Sequence, residues 1–252
     1  MIRGLYTSAS GMTSQMTLTD VVTNNLANVN TGGYKKDIAI TKDFREMLIY
    51  RINDPAARGF GFNASPIGTL GTGVIVDSIH TIHSRGDVRN TGNPLDVAIM
   101  GAGYFTVDTI NGTRYTRNGS FSINSGRELV TSGGERVLGQ NGPIIIAGNK
   151  VTIDETGGIY GDGILIDNLK IATFADQNVM EKEGPYFRTR GPAQEVAGQV
   201  QIQQGFLEGS NVNVVSEMVN LISVYRTYEA NQKMVQTQDE TLGKAVNDVA
   251  RI

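Results

Sequence analysis

The sequence predicts an α+β protein in which an N-terminal and a C-terminal helix form a coiled-coil layer and the middle of the chain forms an irregular antiparallel β barrel or sandwich. Apolar residues recur at helical spacing near both ends, whereas short runs rich in Val, Ile, Thr, Tyr and Phe fill the middle without long helices between them. The predicted domains are an N-terminal helix (1–30), a connecting arm with a glycine-rich loop (31–73), a β domain (74–204), and a linker with a long helix (205–252).

The N-terminal helix is predicted from about Gly4 to Val29 by apolar residues that are spaced by three, four or their sums. These are Leu5, Ala9, Met12, Met16, Val22, Leu26 and Val29. The helix should end near Asn28–Gly33, because an Asn-Thr-Gly-Gly run favours a helix stop and a turn.

The next segment is less regular. Phe44–Ile52 fits either a short amphipathic helix or an extended apolar segment. Residues 53–73 contain repeated Pro and Gly and are predicted to form a loop or an irregular extended arm. Because long loops are uncommon in compact domains, such an arm is usually functional or disordered.

The β region extends from Val74 to about Gln204. Its strand-like runs are Val74–Ile82, Leu95–Met100, Tyr104–Thr109, Arg114–Thr116, Ser120–Ile123, Pro143–Ala147, Leu165–Thr173 and Gln199–Gln203. Three Asn-Gly pairs, at 111–112, 118–119 and 141–142, predict tight hairpin turns, since both residue types tolerate positive φ.

The C-terminal helix has the strongest pattern. Apolar residues recur every seven positions at Val214, Leu221, Tyr228, Val235, Leu242 and Val249. Met218, Tyr225 and Val246 occupy the position four residues on, where Gln232 and Asp239 are polar interruptions. The predicted helix runs from Val214 to Ala250, which is 37 residues or about 55 Å, and the pattern is typical of a coiled coil. Either the terminal helices pair with each other, or they fold when many copies assemble.

Composition excludes several functions. The net charge is -3, which argues against nucleic acid or an anionic membrane as the main partner. The chain has no cysteine and two histidines, so we predict no metal, no cofactor and no catalytic site. His80 and His83 lie on one predicted strand with side chains on opposite faces, and the acidic residues Asp154, Glu155 and Asp162 are better explained as turn residues than as calcium ligands. We also expect no membrane span and no cleaved secretory signal.

Four stretches resemble the axial proteins of the bacterial flagellum, the rod and hook family. They are the Asn-Asn-Leu-Ala-Asn run with its Thr-Gly-Gly-Tyr-Lys sequel (24–35), the Thr-Gly-Asn-Pro-Leu-Asp run (91–105), the Tyr-Thr-Arg-Asn-Gly-Ser-Phe run (115–121) and the Gln-Gly-Phe-Leu-Glu-Gly-Ser-Asn run (204–213). Within this family the chain is most similar to basal-body rod proteins of the FlgG and FlgF types. The proximal or distal position in the rod stays open.

The resemblance implies a non-enzymatic subunit that self-assembles into a tubular drive shaft and transmits motor torque to the hook. The implied partners are other copies, neighbouring rod and hook axial proteins, and the flagellar type III apparatus that exports the unfolded chain. The implied location is the basal-body rod in the cell envelope, with the terminal helices in the inner layer and the β domain outside. No nucleic acid and no membrane insertion are expected.

The predicted assembly residues lie on both terminal helices. In the N-terminal helix they are Leu5, Met12, Met16, Val22, Asn24, Asn25, Leu26, Ala27 and Asn28. In the C-terminal seam they are Val214, Met218, Leu221, Tyr225, Tyr228, Val235, Leu242, Val246 and Val249. Two alternatives are a secreted adhesin or scaffold with coiled-coil oligomerisation, and a glycan-active enzyme on a β scaffold.

Overall fold

The computed structural model describes residues 2–44, 46–51, 65–148, 150–190 and 200–249. It confirms the α+β class, because a helix lies near each end and the strands lie between them. Helix α1 spans Ile2–Ala27 and helix α2 spans Val214–Val249. Neither of these helices is long and apolar enough, over the described residues, to cross a membrane.

The chain forms two compact units. Unit 1 contains Met1–Asn24, Asp37–His80 and Val215–Ile252, and unit 2 contains Asn25–Lys36 and Thr81–Val214. Unit 1 therefore combines both helices with the segment that follows α1.

Four strands follow α1, and unit 1 holds them up to His80. They are β1 (Asp37–Asp43), β2 (Glu46–Arg51), β3 (Ser65–Gly71) and β4 (Val74–Thr81). β1 pairs with β4, and β2 pairs antiparallel with β3. The two possibilities for Phe44–Ile52 are thereby resolved, since 46–51 is extended.

Of the two alternatives predicted for 53–73, the loop is wrong for residues 65–71, because these residues are extended and form β3. Pro66 and Gly68 suggested a break, but both strands of a two-stranded ribbon are edges, where proline and glycine are tolerated. Residues 53–64 of the predicted segment lie outside the described residues.

Unit 2 is rich in short strands. They are β5 (Val88–Asn90), β6 (Val97–Met100), β7 (Tyr104–Thr109), β8 (Gly112–Thr116), β9 (Phe121–Ile123), β10 (Leu129–Thr131), β11 (Arg136–Gly139), β12 (Gly142–Pro143), β13 (Val151–Ile153), β14 (Gly158–Gly161), β15 (Ile164–Asn168), β16 (Ile171–Ala172), β17 (Met180–Glu183), β18 (Tyr186–Thr189), β19 (Gln201–Gln204) and β20 (Phe206–Glu208). A short 3₁₀ helix, Gln177–Val179, precedes β17.

Nine of these strands form the largest described sheet, in the order β17-β18-β8-β7-β11-β10-β9, with β12 on β11 and β16 on β7. The path has two ends, so the described strands do not close into a barrel. β13, β14 and β15 form a separate sheet, while β19 pairs with β6 and β20 with β5. The last two pairs bring residues 201–208 back to strands more than 100 residues earlier.

Strand β7 supplies side chains to both hydrophobic cores of unit 2. Phe105 and Val107 are fully buried in the larger cluster, and Tyr104 packs in a smaller one with Phe174 and Phe187. Because successive side chains of a strand point to opposite faces, one strand can serve two cores.

Two of the three predicted Asn-Gly hairpins are confirmed. Gly112 and Gly142 both have positive φ and lie at the β7–β8 and β11–β12 turns. The third prediction, at 118–119, is wrong, because β8 pairs with β7 and β18 whereas β9 pairs with β10. Gly119 instead allows close backbone packing, since an added Cβ would overlap the Val97 carbonyl oxygen.

Candidate assembly site

The two terminal helices contact each other within unit 1. A Cβ added at Gly4 would lie 2.8 Å from Nε2 of Gln238, and one added at Gly11 would lie 2.9 Å from Nδ2 of Asn231. Moving seven residues forward along α1 thus moves seven residues backward along α2, so the helices run antiparallel. These contacts agree with the first of the two possibilities left by the sequence, in which the terminal helices pair with each other.

The buried and half-buried positions of α2 follow a heptad pattern over the described residues. They are Val214, Leu221, Tyr228, Val235 and Leu242, together with the positions three residues on: Glu217, Val224, Asn231, Gln238 and Ala245. The second set contains polar residues, and two of them are the side chains that lie over glycines of α1.

The predicted companion positions, four residues on, are not covered in the single chain. Met218 is 49% exposed, Tyr225 58% and Val246 66%. The side chain of Val249 lies outside the described residues. The predicted C-terminal seam is therefore divided between positions that face inward and positions that face outward.

The predicted residues of α1 are divided in the same way. Val22 and Asn25 are buried, Leu5, Met12, Leu26 and Asn28 are half-buried, and Met16, Asn24 and Ala27 are exposed. Two small polar residues of this helix are buried but were not among the predicted assembly residues: Ser8 is 8% exposed and Ser14 is 3% exposed.

A second side of α1 packs on the turn between β3 and β4. Thr7 Oγ1 donates to the Thr72 carbonyl oxygen at 2.7 Å, and Ser14 Oγ donates to the Val74 carbonyl oxygen at 3.1 Å. The Val74 amide donates to Ser10 Oγ at 3.2 Å. Because residues three and four apart lie on one side of a helix, these hydroxyls form a polar stripe that fixes the turn.

The first turns of α2 carry an exposed apolar surface. We call it the α2 apolar face; it consists of Val215, Met218, Val219, Ile222 and Tyr225, each 49–72% exposed. Further along the same side the residues become polar, at Glu229, Lys233, Gln236 and Glu240. A contiguous exposed apolar patch of this kind marks an interaction surface.

The β2–β3 ribbon is also exposed on both sides. Its exposed apolar residues are Met47, Leu48, Ile49, Tyr50, Ile67 and Leu70. A two-stranded hairpin is only marginally stable in water by itself. An apolar ribbon gains stability when another surface covers it.

A buried ionic cluster in unit 2 is absent from the predicted assembly residues. Lys35, Arg117 and Glu208 are 0–4% exposed, and Lys35 Nζ lies 2.6 Å from Glu208 Oε1. Burial lowers the pKa of Lys35, although the Glu208 carboxylate opposes this shift. All three residues lie in stretches that carry the family resemblance, which was the available signal, but charged residues normally indicate a solvated surface.

The described residues show few of the side-chain arrangements expected of an enzyme or metal site. No group of three or more His, Asp or Glu side chains there could hold a metal. Asp154 stabilises a turn, since its carboxylate accepts hydrogen bonds from the amides of Thr156 and Gly158. These bonds outweigh the effect of burial and lower the pKa of Asp154.

A cleft of about 580 Å³ is lined by residues that include Arg114, Glu135 and Tyr186. Burial and the Glu135 carboxylate raise the pKa of Tyr186 to about 12, so this phenol stays protonated and acts as a donor.

Three family models match the chain. Residues 5–35 match the family described as flagella basal body rod protein. Residues 98–161 match the D1 domain of the flagellar hook protein FlgE/F/G, and residues 203–248 match the C-terminal region of the flagellar basal body rod FlgEFG protein.

Related proteins extend over nearly the whole chain. The flagellar basal-body rod protein FlgG of Borreliella burgdorferi is 37% identical, with 98% of each chain covered. FlgG of Bacillus subtilis is 36% identical over 98% of this chain and 99% of its own. The flagellar hook-basal body complex protein FlhO of Bacillus subtilis is 29% identical with complete coverage of both. This chain belongs to the family of flagellar basal-body rod proteins.

Proposed function

We infer that the chain is a structural subunit of the bacterial flagellar basal-body rod and that its role is mechanical rather than enzymatic. Membership in the rod family over nearly the full length supports this function. The single structural observation that fits it best is the α2 apolar face, which a free chain leaves in water.

The occupant of the α2 apolar face is a second copy of this chain or a neighbouring axial subunit of the same family. Burying a Val, Ile or Met side chain contributes roughly 1.5–3 kcal/mol, so the four such residues of this face can drive association. The outward members of the predicted seam, Met218 and Tyr225, belong to this contact. The inward members, such as Leu221 and Val235, hold α2 in place within the chain.

Polymerisation through α2 would place the terminal helices in a coiled-coil layer. The β-rich unit 2 would then contribute a sandwich-like body to each subunit. Many repeated contacts of this kind would give a stiff tube that transmits motor torque to the hook. Family membership supports this arrangement and the export of the unfolded chain by the flagellar type III apparatus.

The proposal is tested by adding one charge to the α2 apolar face. Ile222→Asp should prevent incorporation into rods, because a carboxylate cannot be buried there without a partner. The matched control is Ser223→Asp, which adds the same charge at the next residue, where the side chain is exposed and lies outside the α2 apolar face. Both variants are expressed in a strain that lacks the wild-type protein, and rods are counted by electron microscopy of isolated basal bodies.

Unit 2 should melt normally in both variants, which separates assembly from folding. Equal numbers of rods in the Ile222→Asp and Ser223→Asp strains would contradict assembly through this face.

A further inference from the structure

The backbone enters or leaves unit 2 at four places: Asn25, Lys36, Thr81 and Val214. Residues at or near these places are hydrogen-bonded to one another. We call this network the collar; it consists of Asn25, Tyr34, Lys36, Ile82 and Asn211.

Asn211 is the centre of the collar. Its side chain accepts from the Lys36 amide at 2.7 Å and donates to the Ile82 carbonyl oxygen at 2.8 Å. The Ile82 amide donates to the Lys36 carbonyl oxygen at 2.8 Å, and the Tyr34 hydroxyl donates to Asn25 Oδ1 at 3.1 Å. Three segments far apart in sequence are therefore joined by one amide side chain.

The buried ionic cluster adjoins the collar in sequence and in space. Glu208 Oε1 accepts from Lys35 Nζ at 2.6 Å and from the Gly86 amide at 3.0 Å, while Oε2 accepts from Arg117 Nη1 at 3.2 Å. The backbone of Glu208 also takes part, since its carbonyl oxygen accepts from the Gly33 amide at 2.7 Å. Glu208 thus binds the segment that follows α1 with both its side chain and its backbone.

The charge balance makes Glu208 necessary. Two buried cations, Lys35 and Arg117, both pair with the Glu208 carboxylate, and Arg85 adds a further positive potential at Lys35. Removing one partner of a buried ion pair is strongly destabilising, because the other charges remain desolvated. An apolar cluster of the same volume would often be as stable, so burying ions here requires another reason, such as fixing a geometry.

We propose that Glu208 and Asn211 are positioning residues of a mechanical clamp that holds the chain crossings of unit 2 in one fixed arrangement. Force carried by the backbone between the two units must pass through these crossings. The clamp gives them a common rigid anchor in the β-rich unit. This inference rests on the proposed function as a rod subunit.

The clamp is tested in the full-length chain with Glu208→Gln and Asn211→Ala. The matched control is Glu183→Gln, which alters a carboxylate that pairs with Arg114 at 2.8 Å but is 42% exposed. Hydrogen exchange is measured at the amides of Gly33, Lys36 and Ile82. Both variants should raise exchange at these amides at least tenfold, and the control should leave it unchanged.

Asn211→Ala introduces no unpaired buried charge, so the test stands even if Glu208→Gln unfolds unit 2. In Asn211→Ala the amides of β7 should keep their wild-type protection. Unchanged exchange at Lys36 and Ile82 in this variant would overturn the clamp.

The mechanical role needs a second readout in cells. Strains with Asn211→Ala should assemble rods and swim normally in buffer but lose speed in viscous medium more steeply than wild type. A wild-type dependence on viscosity, with the collar shown to be open, would overturn the mechanical role. Absence of the wild-type chain from isolated rods would instead contradict the proposed function and leave the exchange result intact.

Discussion

Gly33 shows how a single residue connects a motif to a physical requirement. Its φ is 68°, and an added Cβ would overlap the backbone of Arg117 and Asn118. Gly92 has nearly the same φ, 70°, but an added Cβ would meet no atom within 4 Å. The two glycines therefore separate the effect of backbone conformation from the effect of close packing.

Gly33→Ala should destabilise unit 2 more than Gly92→Ala. Both substitutions cost about 1–2 kcal/mol of stability, because alanine is strained in the left-handed conformation. Gly33→Ala costs about 1–3 kcal/mol more, because the added methyl group overpacks against the neighbouring backbone. Urea denaturation of the two variants checks this difference. Equal losses of stability would show that the backbone near Arg117 can move away at little cost.

Tyr104 predicts a pH dependence of stability. Burial raises its pKa to about 12, opposed by the nearby Arg117 and reinforced by the Glu208 carboxylate. His83 also faces the phenol, with Nδ1 2.7 Å from its oxygen. Because the folded-state pKa exceeds the unfolded value of about 10, this contribution is complete below pH 10 and disappears as the pH rises to about 12.

The wild-type protein should therefore lose about 2–3 kcal/mol more than Tyr104→Phe between about pH 10 and pH 12. The measurement is the free energy of unfolding of both proteins across this range. Parallel curves would mean that Tyr104 ionises in the folded protein as easily as in the unfolded chain.

At the scale of the elements, the extent of helix α2 could be predicted from the sequence, but the side of the helix that packs against the rest of the chain could not. The predicted span, Val214 to Ala250, agrees with the observed Val214–Val249, because an unbroken apolar heptad strongly favours a helix. The inward companion positions carry Glu217, Asn231 and Gln238, whereas the outward positions carry Met218 and Tyr225. A hydrophobic pattern alone therefore favours the side that faces away.

Strand β3 and the buried ionic cluster could not be predicted from the sequence, for two physical reasons. β3 contains Pro66 and Gly68, which a ribbon edge tolerates but a pattern interprets as a break. The ionic cluster uses Lys35 and Glu208, residues that lie 173 positions apart and whose burial depends on tertiary pairing. Local sequence patterns contain no signal for such a long-range pair.

The helix pairing predicts that the same substitution is less favourable at one helical glycine than at another. Alanine usually stabilises a helix by about 1 kcal/mol relative to glycine. Gly243→Ala should give this gain, because an added Cβ there meets no atom within 4 Å. Gly11→Ala should give less or destabilise, since the Cβ would lie 2.9 Å from Asn231 Nδ2.

Gly11→Leu should push the two helices further apart than Gly11→Ala, because the larger side chain has no room against α2. Thermal unfolding followed by circular dichroism compares the three variants. A gain in stability for Gly11→Leu equal to that for Gly243→Ala would contradict the antiparallel pairing at Gly11.

At the scale of the whole molecule, the two units differ in how much apolar surface they expose. Unit 1 contains the paired helices, the α2 apolar face and the β2–β3 ribbon, and so carries the largest exposed apolar surfaces described. Unit 2 contains two buried hydrophobic cores and the ionic cluster. Association is therefore expected to depend mainly on unit 1, and internal rigidity mainly on unit 2.

The central claim is that a neighbouring subunit covers the α2 apolar face in the rod, and oxidation of Met218 measures this most directly. Met218 is 49% exposed in the single chain and should be oxidised readily to the sulfoxide in the free protein. In isolated rods, mass spectrometry after brief peroxide treatment should show Met218 oxidised at least tenfold more slowly than in the free protein. The same oxidation rate for Met218 in rods and in the free protein would contradict the account.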